Sequence, residues 1–514
     1  MRLLWSAGLL AALGATIPAG AVPVPGTSGA VDGTGYVDGL AVAPTEGGSS
    51  ELPGARLSLT FDSAPWHRLR GHVTLQTAVG GPFVGGHPGV LNFVHEFQNR
   101  SISLDVDEAY GELDLEQVEI VAGIRKVAWG KLDGLPPTDV VNPRDYHNPL
   151  VRDFEEAKVG IPMIGATWYA PDVPRLALSG VRATLLYLPI AVPSRLALIE
   201  ERWFPPTTTP LSRFVLPRGV TERALRRVLG VDVSLPGDVV IPVDFRTLNN
   251  RPPSGFDDGG VGLRLGGTWR NMDWDLYHYT GPDTGPDADL LATLFLDRFT
   301  LDPVTKQLTL DLRARALLKQ AHDLMHMTGA DWTTTLGGAS IRVEVAGYQN
   351  RVYPRIVSDL VSPAAISRLP LMRISKQLLA HKPAPVPLET LFPSLDAVEW
   401  GVGADYPIRG FIPLLQVQQT AFLEHTPGLL VSDPETRFIG SVRRTFLQNR
   451  LELELRGVYA LTRGGWFVFP RASYRIRSNF RVRLGYLAIG GSRNSLIGQF
   501  GQNDEVVMQA RYSF

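Results

Sequence analysis

The chain has 514 residues, no cysteine, 52 glycines, 40 prolines and a formal net charge of −1. Without cysteine there is neither a disulfide framework nor a thiolate metal site, and a near-zero charge supplies no global field for nucleic acid. The glycine and proline content argues against long helices and for many short strands with turns. A mean hydropathy of +0.01 does not separate a soluble protein from a membrane barrel, because only alternate residues of a barrel strand face lipid.

Residues 1–21 read as a secretory signal peptide: Arg2, an apolar stretch from Leu3, then the small-residue site Ala19-Gly20-Ala21. Beyond it no run approaches the roughly 18 apolar residues of a membrane helix. From Tyr36 the chain falls into alternating segments of about ten residues, the weak per-strand pattern of a membrane barrel. Strands are expected at 35–43, 55–62 and 68–78, followed by a glycine-rich loop at 80–89, and at 104–116 and 118–129. The middle of the chain predicts 162–169, 178–188, 261–270, 273–279, 292–301, 308–318, 324–336 and 341–348. The clearest group is 398–406, 413–423, 438–447, 451–461, 466–475 and 480–489, and then the closing strand. In that last strand Val506, Met508, Ala510, Tyr512 and Phe514 share one face, with Glu505, Val507, Gln509, Arg511 and Ser513 on the other.

Short links after every second strand alternate with longer ones, the longest at 130–160, 189–260 and 349–397. A barrel with short turns at one rim and long loops at the other requires that parity. The faces agree. Leu451, Leu453, Leu455 and Tyr459 oppose Glu452, Glu454 and Arg456, and Leu308, Leu310 and Leu312 oppose Asp311, Arg313 and Arg315. Residues 22–514 therefore read as an all-β transmembrane antiparallel β-barrel of about 18–20 strands, with long extracellular loops and an inserted loop or plug.

Three stretches resemble an uncharacterised family of outer-membrane barrels often encoded beside RND-type (MMPL) exporters. They are GIRKVAWG at 123–130 with KLDGLPPTDVVNPRDY at 131–146, LYLPIAVPSRLALIEERWFPP at 186–206, and the close from Leu484 to Phe514. The insertion around 212–253 and the segment 357–391 match nothing in that family. The resemblance implies passage of hydrophobic or lipid-like molecules across the outer membrane, with an RND-type inner-membrane exporter as a partner, and carries over no catalytic residue.

Candidate functional residues fall into three groups. Between Glu435 and Phe514 there are thirteen arginines, no lysine and five acids, a balance of +8. Arg443, Arg456, Arg471, Arg475, Arg481, Arg483 and Arg511 take the inner register as pore-lining basic residues. Asp105, Asp107, Glu112, Asp114, Glu116 and Glu119, with Glu108, form an acidic wall if a bulge near Asp107–Glu108 shifts the register. One reading is a transverse field that steers charged groups, the other a set of charge-paired ladders that only hold the wall together. The third group, Trp129, Asp133, Asp139, Asn142, Arg144 and Asp145, sits on a proline-fixed path that could form a constriction loop or an ordinary surface loop. The helical pattern TERALRRVL (221–229) fits a plug helix, an outer cap or a surface helix.

Enzyme signals are weak. His322 and His326 have no third metal ligand in a recognisable spacing, and there is no Gly-x-Ser-x-Gly elbow or phosphate-cradling glycine motif. The sequence thus predicts a non-enzymatic, cofactor-free outer-membrane conduit for a small or lipid-like substrate, the outer stage of an export system. Its expected partners are outer-membrane lipid and, through the strand ending in Phe514, the barrel assembly machinery. An alginate-type polysaccharide export porin and a lipid-modifying barrel enzyme are the alternatives.

Overall fold

The computed structural model describes residues from Val22 onward except 25–26, 28, 46–52, 81–101, 150–155, 196, 198–200, 209–211, 249–258, 286, 361 and 389. Residues 1–21, read from sequence as a signal peptide, and most of the glycine-rich stretch after Gly80 lie outside the described residues.

Eighteen strands form one closed antiparallel barrel. The first seven are β1 (Val31–Pro44), β2 (Gly54–Ser63), β3 (Leu69–Val79), β4 (Ile102–Asp114), β5 (Val118–Arg125), β6 (Ile161–Tyr169) and β7 (Leu178–Leu188). Two strands that follow in the chain leave the barrel, β8 (Arg213–Leu216) and β9 (Val239–Leu248), and it resumes with β10 (Gly260–Trp269) and β11 (Met272–Pro282). After another excursion through β12 (Asp287–Leu301) and β13 (Leu308–Ala321), the wall continues with β14 (Leu324–Leu336) and β15 (Ala339–Val352). Past the short β16 (Ala384–Val386) it is completed by β17 (Ser394–Asp405), β18 (Phe411–Phe422), β19 (Glu435–Phe446), β20 (Leu451–Ala460), β21 (Trp466–Arg477), β22 (Phe480–Gly490) and β23 (Glu505–Ser513). The terminal strand pairs with the first, Asp38 opposite Arg511 and Val42 opposite Val507, so no edge is left open. In hydrocarbon an unpaired backbone group costs several kcal/mol, which only closure avoids.

The period-two pattern explains the wall. Outside, Leu453, Leu455, Tyr459, Leu263, Leu265 and Met508 are exposed. Exposed aromatic residues mark both rims, Trp168, Trp269 and Phe411 at the short-turn end and Tyr187, Phe438 and Tyr459 at the other. The short turns are 64–68, 115–117, 170–177, 270–271, 337–338, 406–410, 447–450 and 478–479, and the longest links, at the opposite rim, are 126–160, 189–259, 283–323 and 353–393.

Two expected barrel strands belong elsewhere. The segments predicted at 292–301 and 308–318 are β12 and β13, which lie in a separate five-stranded sheet ordered β16-β12-β13-β9-β8. This sheet is assembled from three long links of the same rim, and β9 runs parallel to β13 because the two come from different links. Helices α1 (Arg218–Leu229) and α2 (Leu371–Leu379) cover one face. Leu225, Ile241, Leu308, Leu312, Ile374 and Leu378 are buried between them. The alternation in β13 is therefore helix-covered inside and solvated outside, with Arg313 paired to Asp297 at 2.8 Å. The helix read at 221–229 is α1, part of this appended sheet and not a plug in the lumen.

Candidate functional site

Residues 126–148 fold from the long-loop rim down into the barrel. Gly130 has φ +80°, and a Cβ there would stand 2.5 Å from Pro136 Cβ and 2.7 Å from Glu344 Oε1, so glycine is required where the loop meets the wall. Trp129 is buried with Val141 against the lumen-facing Met163, Leu186, Tyr277, Met327 and Tyr348. Wall glycines make room for the loop: a Cβ on Gly329 would lie 2.6 Å from Thr138 Cγ2, and one on Gly401 2.6 Å from Leu132 Cδ1.

Glu344 on β15, with no exposed surface, is the main anchor. Its Oε1 accepts the Thr138 N–H and hydroxyl at 2.6 and 2.7 Å, and its Oε2 accepts the N–H groups of Lys131 and Leu132 at 3.0 and 3.2 Å. A buried carboxylate is tolerable only when its lone pairs are filled in this way. Lys131 Nζ reaches Asp331 Oδ1 at 2.7 Å and Asp275 Oδ2 at 3.1 Å. Asp275 also holds Arg264 and Arg182 at 2.8 and 2.9 Å. The Asp133 N–H donates to Gln416 Oε1 at 3.1 Å, the Leu135 carbonyl accepts Gln418 Nε2 at 2.9 Å, and the Tyr348 hydroxyl donates to the Pro137 carbonyl. Asp275 lies near the Met272 end of β11, whereas Gln418 and Tyr348 stand nearer the long-link ends of β18 and β15, so residues 131–138 cross the middle of the lumen.

A second segment, 189–208, covers the other side. Arg195 Nη2 lies 3.3 Å from Asp105 Oδ2, and Arg202 pairs with the buried Glu505 at 2.9 Å. Trp203 meets the Phe500 ring at a tilt, 5.4 Å between centres, and packs on lumen-facing Leu40, Val42, Phe469, Leu487 and Val507. Glu156 reaches across to Arg56 and Arg511, each at 3.0 Å. Burial works to raise the Glu156 carboxyl, but Arg56 and Arg511 overcome it and hold it below the ordinary range. At the mouth of the wall Asp283 is pushed up by burial, which Arg351 and the N–H groups of Val352 and Gly285 only partly offset.

The residues singled out from sequence divide accordingly. Of the loop group, Asp133 pairs with Arg342 on the wall at 2.9 Å. Asp139 is held within its own link by Arg144 and by Lys158, the latter at 3.0 Å. Asn142 accepts the Val127 N–H at 2.6 Å and bonds the Val159 carbonyl at 2.9 Å. Asp145 faces Arg195 at 3.9 Å. In the acidic group the register shifts between Thr74 and Leu75, opposite Glu108 and Val106, which leaves Asp107 as the extra residue. Asp107 binds Lys126 at 2.7 Å. Asp114 and Glu119 are like-charged register neighbours across β4 and β5, and Glu112 lies 4.0 Å from Arg70. Glu116 is not on the wall: it sits in the 115–117 turn, exposed, bound to Arg68 at 2.7 Å.

Of the arginines, Arg471 pairs with Glu454 and Arg511 with Asp38 at 2.7 Å. Arg483 donates to Gln509 at 3.2 Å, and Arg456 lies 5.1 Å from the Phe469 ring centre. Arg475 and Arg481 face each other across β21 and β22. They and Arg443 stand towards the short-turn rim, where no carboxylate pairs with them among the described residues. The anchors Lys131, Asp275, Asp331, Gln416 and Gln418 escaped the sequence reading. Their partners lie far along the chain, and the available signal was glycine at lumen positions such as Gly401 and Gly403.

The chain matches no family model and none of the curated proteins. Among solved structures it is similar to OccK1 (OpdK) of Pseudomonas aeruginosa, at 9% identity and TM-score 0.46 over 94% of this chain and 98% of that one. It is likewise similar to OccK5 (OpdH) of Pseudomonas aeruginosa, at 10% identity and TM-score 0.44 over 94% and 98%. OmpF of Salmonella typhi matches at 11% identity and TM-score 0.37 over 94% and 97%. At such identities and scores these likenesses carry no argument about this chain's activity.

Proposed function

We propose that the chain is an outer-membrane channel for small charged or polar solutes, narrowed by two inserted segments and serving as the outer stage of an export system. The observation that carries this reading is the lumen itself. Its strands carry inward ionised side chains such as Arg56, Asp107, Arg264, Arg342 and Glu454, and a wet, charged interior suits ions and polar solutes better than a lipid chain. Arg443, Arg475 and Arg481 at the short-turn rim give that mouth a positive potential that draws anions in. The export direction and an RND-type inner-membrane partner follow from the sequence resemblance and belong to the proposal. No cofactor is needed, since the barrel supplies the path and its charges tune it.

The test is the reversal potential of the refolded protein in planar bilayers under a salt gradient. Wild type should favour anions, and replacing Arg443, Arg475 and Arg481 together by glutamine should bring the selectivity towards neutral. A folded protein that passes no current, or a triple variant with unchanged selectivity, contradicts the proposal.

A further inference from the structure

The outer wall of the barrel carries a groove of about 710 Å³ across strands β18 to β23. Short side chains make its floor. Pro470 and Ala472 on β21 lie between the larger Leu453 and Leu455 on β20 and Leu484 and Tyr486 on β22, all four of which are exposed. In register, Arg444, Leu453, Ala472, Leu484 and Met508 form one row of outward residues, each directly opposite the next. Four strand spacings of about 4.8 Å, from β19 to β23, make this row roughly 19 Å long. Arg444 lies beside the short turn that ends β19, and Met508 is further from that rim in β23, so the row climbs from the interface towards the middle of the bilayer. Half of a hydrocarbon core is roughly 15 Å thick, and an inclined row of this length crosses it.

Arg444 heads the groove. It shares the outward register of Leu453, where a charge meets lipid and is tolerated only close to the interface. Its guanidinium lies 4.5 Å from the Phe411 ring centre and 4.9 Å from that of Phe446, so the two rings hold it in place. Arg409 and Arg450 are exposed in the adjoining short turns at 406–410 and 447–450. Among the described residues no carboxylate pairs with any of these three arginines. The groove therefore joins an apolar body to a cationic head that has no anion of its own. A smooth apolar wall meets all lipids alike, whereas a groove headed by unpaired arginines separates them by charge.

We infer that this groove holds an anionic phospholipid, with one acyl chain along the row from Leu453 towards Val506 and the phosphate accepting from the guanidinium fork of Arg444. Arg409 and Arg450 add attraction for a headgroup of net negative charge. The site depends on the lipid-facing wall and not on conduction through the lumen.

Native mass spectrometry of the purified full chain in detergent tests it with phosphatidylglycerol and phosphatidylcholine of identical acyl chains. Phosphatidylglycerol should be retained one to one and bind at least about fivefold tighter than phosphatidylcholine. Arg444→Gln should reduce that preference by about fivefold. Ala472→Trp fills the floor and should weaken both lipids. Glycerol phosphate, a head without a chain, should not compete. Should Ala472→Trp fail to fold, as judged by heat-modifiable gel mobility, Arg444→Gln and the glycerol phosphate competition still decide. Equal retention of the two lipids, a preference unchanged in Arg444→Gln, or displacement by glycerol phosphate would overturn the inference. So would a dimer of the chain that excludes lipid and is lost in Ala472→Trp, which would give the groove to a second copy.

Discussion

Glu344 is the wall side chain with the most bonds to the loop, accepting four hydrogen bonds from residues 131, 132 and 138. Removing it leaves the buried donors of Lys131, Leu132 and Thr138 unpaired, at a cost of about 1–3 kcal/mol. Glu344→Ala should weaken the docked loop by about that amount, read as faster amide exchange at residues 131–138 while the strand amides stay protected. Gly401→Val should act from the other side. Its new methyl groups meet Leu132, and overpacking of this kind costs about 1–3 kcal/mol, measurable as a lower denaturant midpoint at unchanged slope. Residue by residue, period two separates the two faces of a strand but does not tell which side chains meet. In the sequence Glu344 is one acid among alternating residues of a strand, and only the fold brings Thr138 to it. Gly401 and Gly403, two small residues at consecutive lumen positions, were the legible trace of something packed against the wall.

The elements differ in how firmly they are held. The link carrying Glu156 is tied to Arg56 and Arg511, and Glu156 is 31% exposed. Its carboxyl is depressed in the folded chain, so its stabilising contribution is present above the ordinary glutamate value of about 4.3 and is lost as pH falls through the lower folded value. Loop fluctuations, followed as current noise, should therefore be insensitive to this group from pH 7 to 5 and rise only below about pH 4. Noise that increases between pH 7 and 5 and disappears in Glu156→Gln would contradict this. The appended sheet has its own core around Leu225, Leu308 and Ile374. Ile374→Asp places a charge in that core and should open the sheet to protease at the 357–391 link, with the barrel strands remaining resistant. The strand pattern was legible almost everywhere, and β12 and β13 show its limit. Period two reports that one face is buried, and a face covered by α1 and α2 alternates like a face covered by lipid. The turn parity survived this misassignment because β12 and β13 form a hairpin, and removing a pair of strands leaves the alternation of short and long links intact.

Taken whole, the molecule is a closed eighteen-strand wall with inserted links in its interior: one lies along β6, β7, β10, β11, β14, β15, β17 and β18, another along β1 and β21 to β23. Wall and rims follow from local alternation and link length, which a sequence displays directly. The filling depends on contacts between residues far apart in the chain, such as Leu132 with Gly401 and Arg202 with Glu505, which no local pattern encodes. On the proposed function, the inserted loop limits a real passage. The most direct measurement is single-channel conductance of wild type beside Glu344→Ala in the same bilayer. A small steady conductance in wild type and a larger, noisier one in the variant is the predicted result. Identical conductance in the two folded proteins, or no current from either, would contradict it.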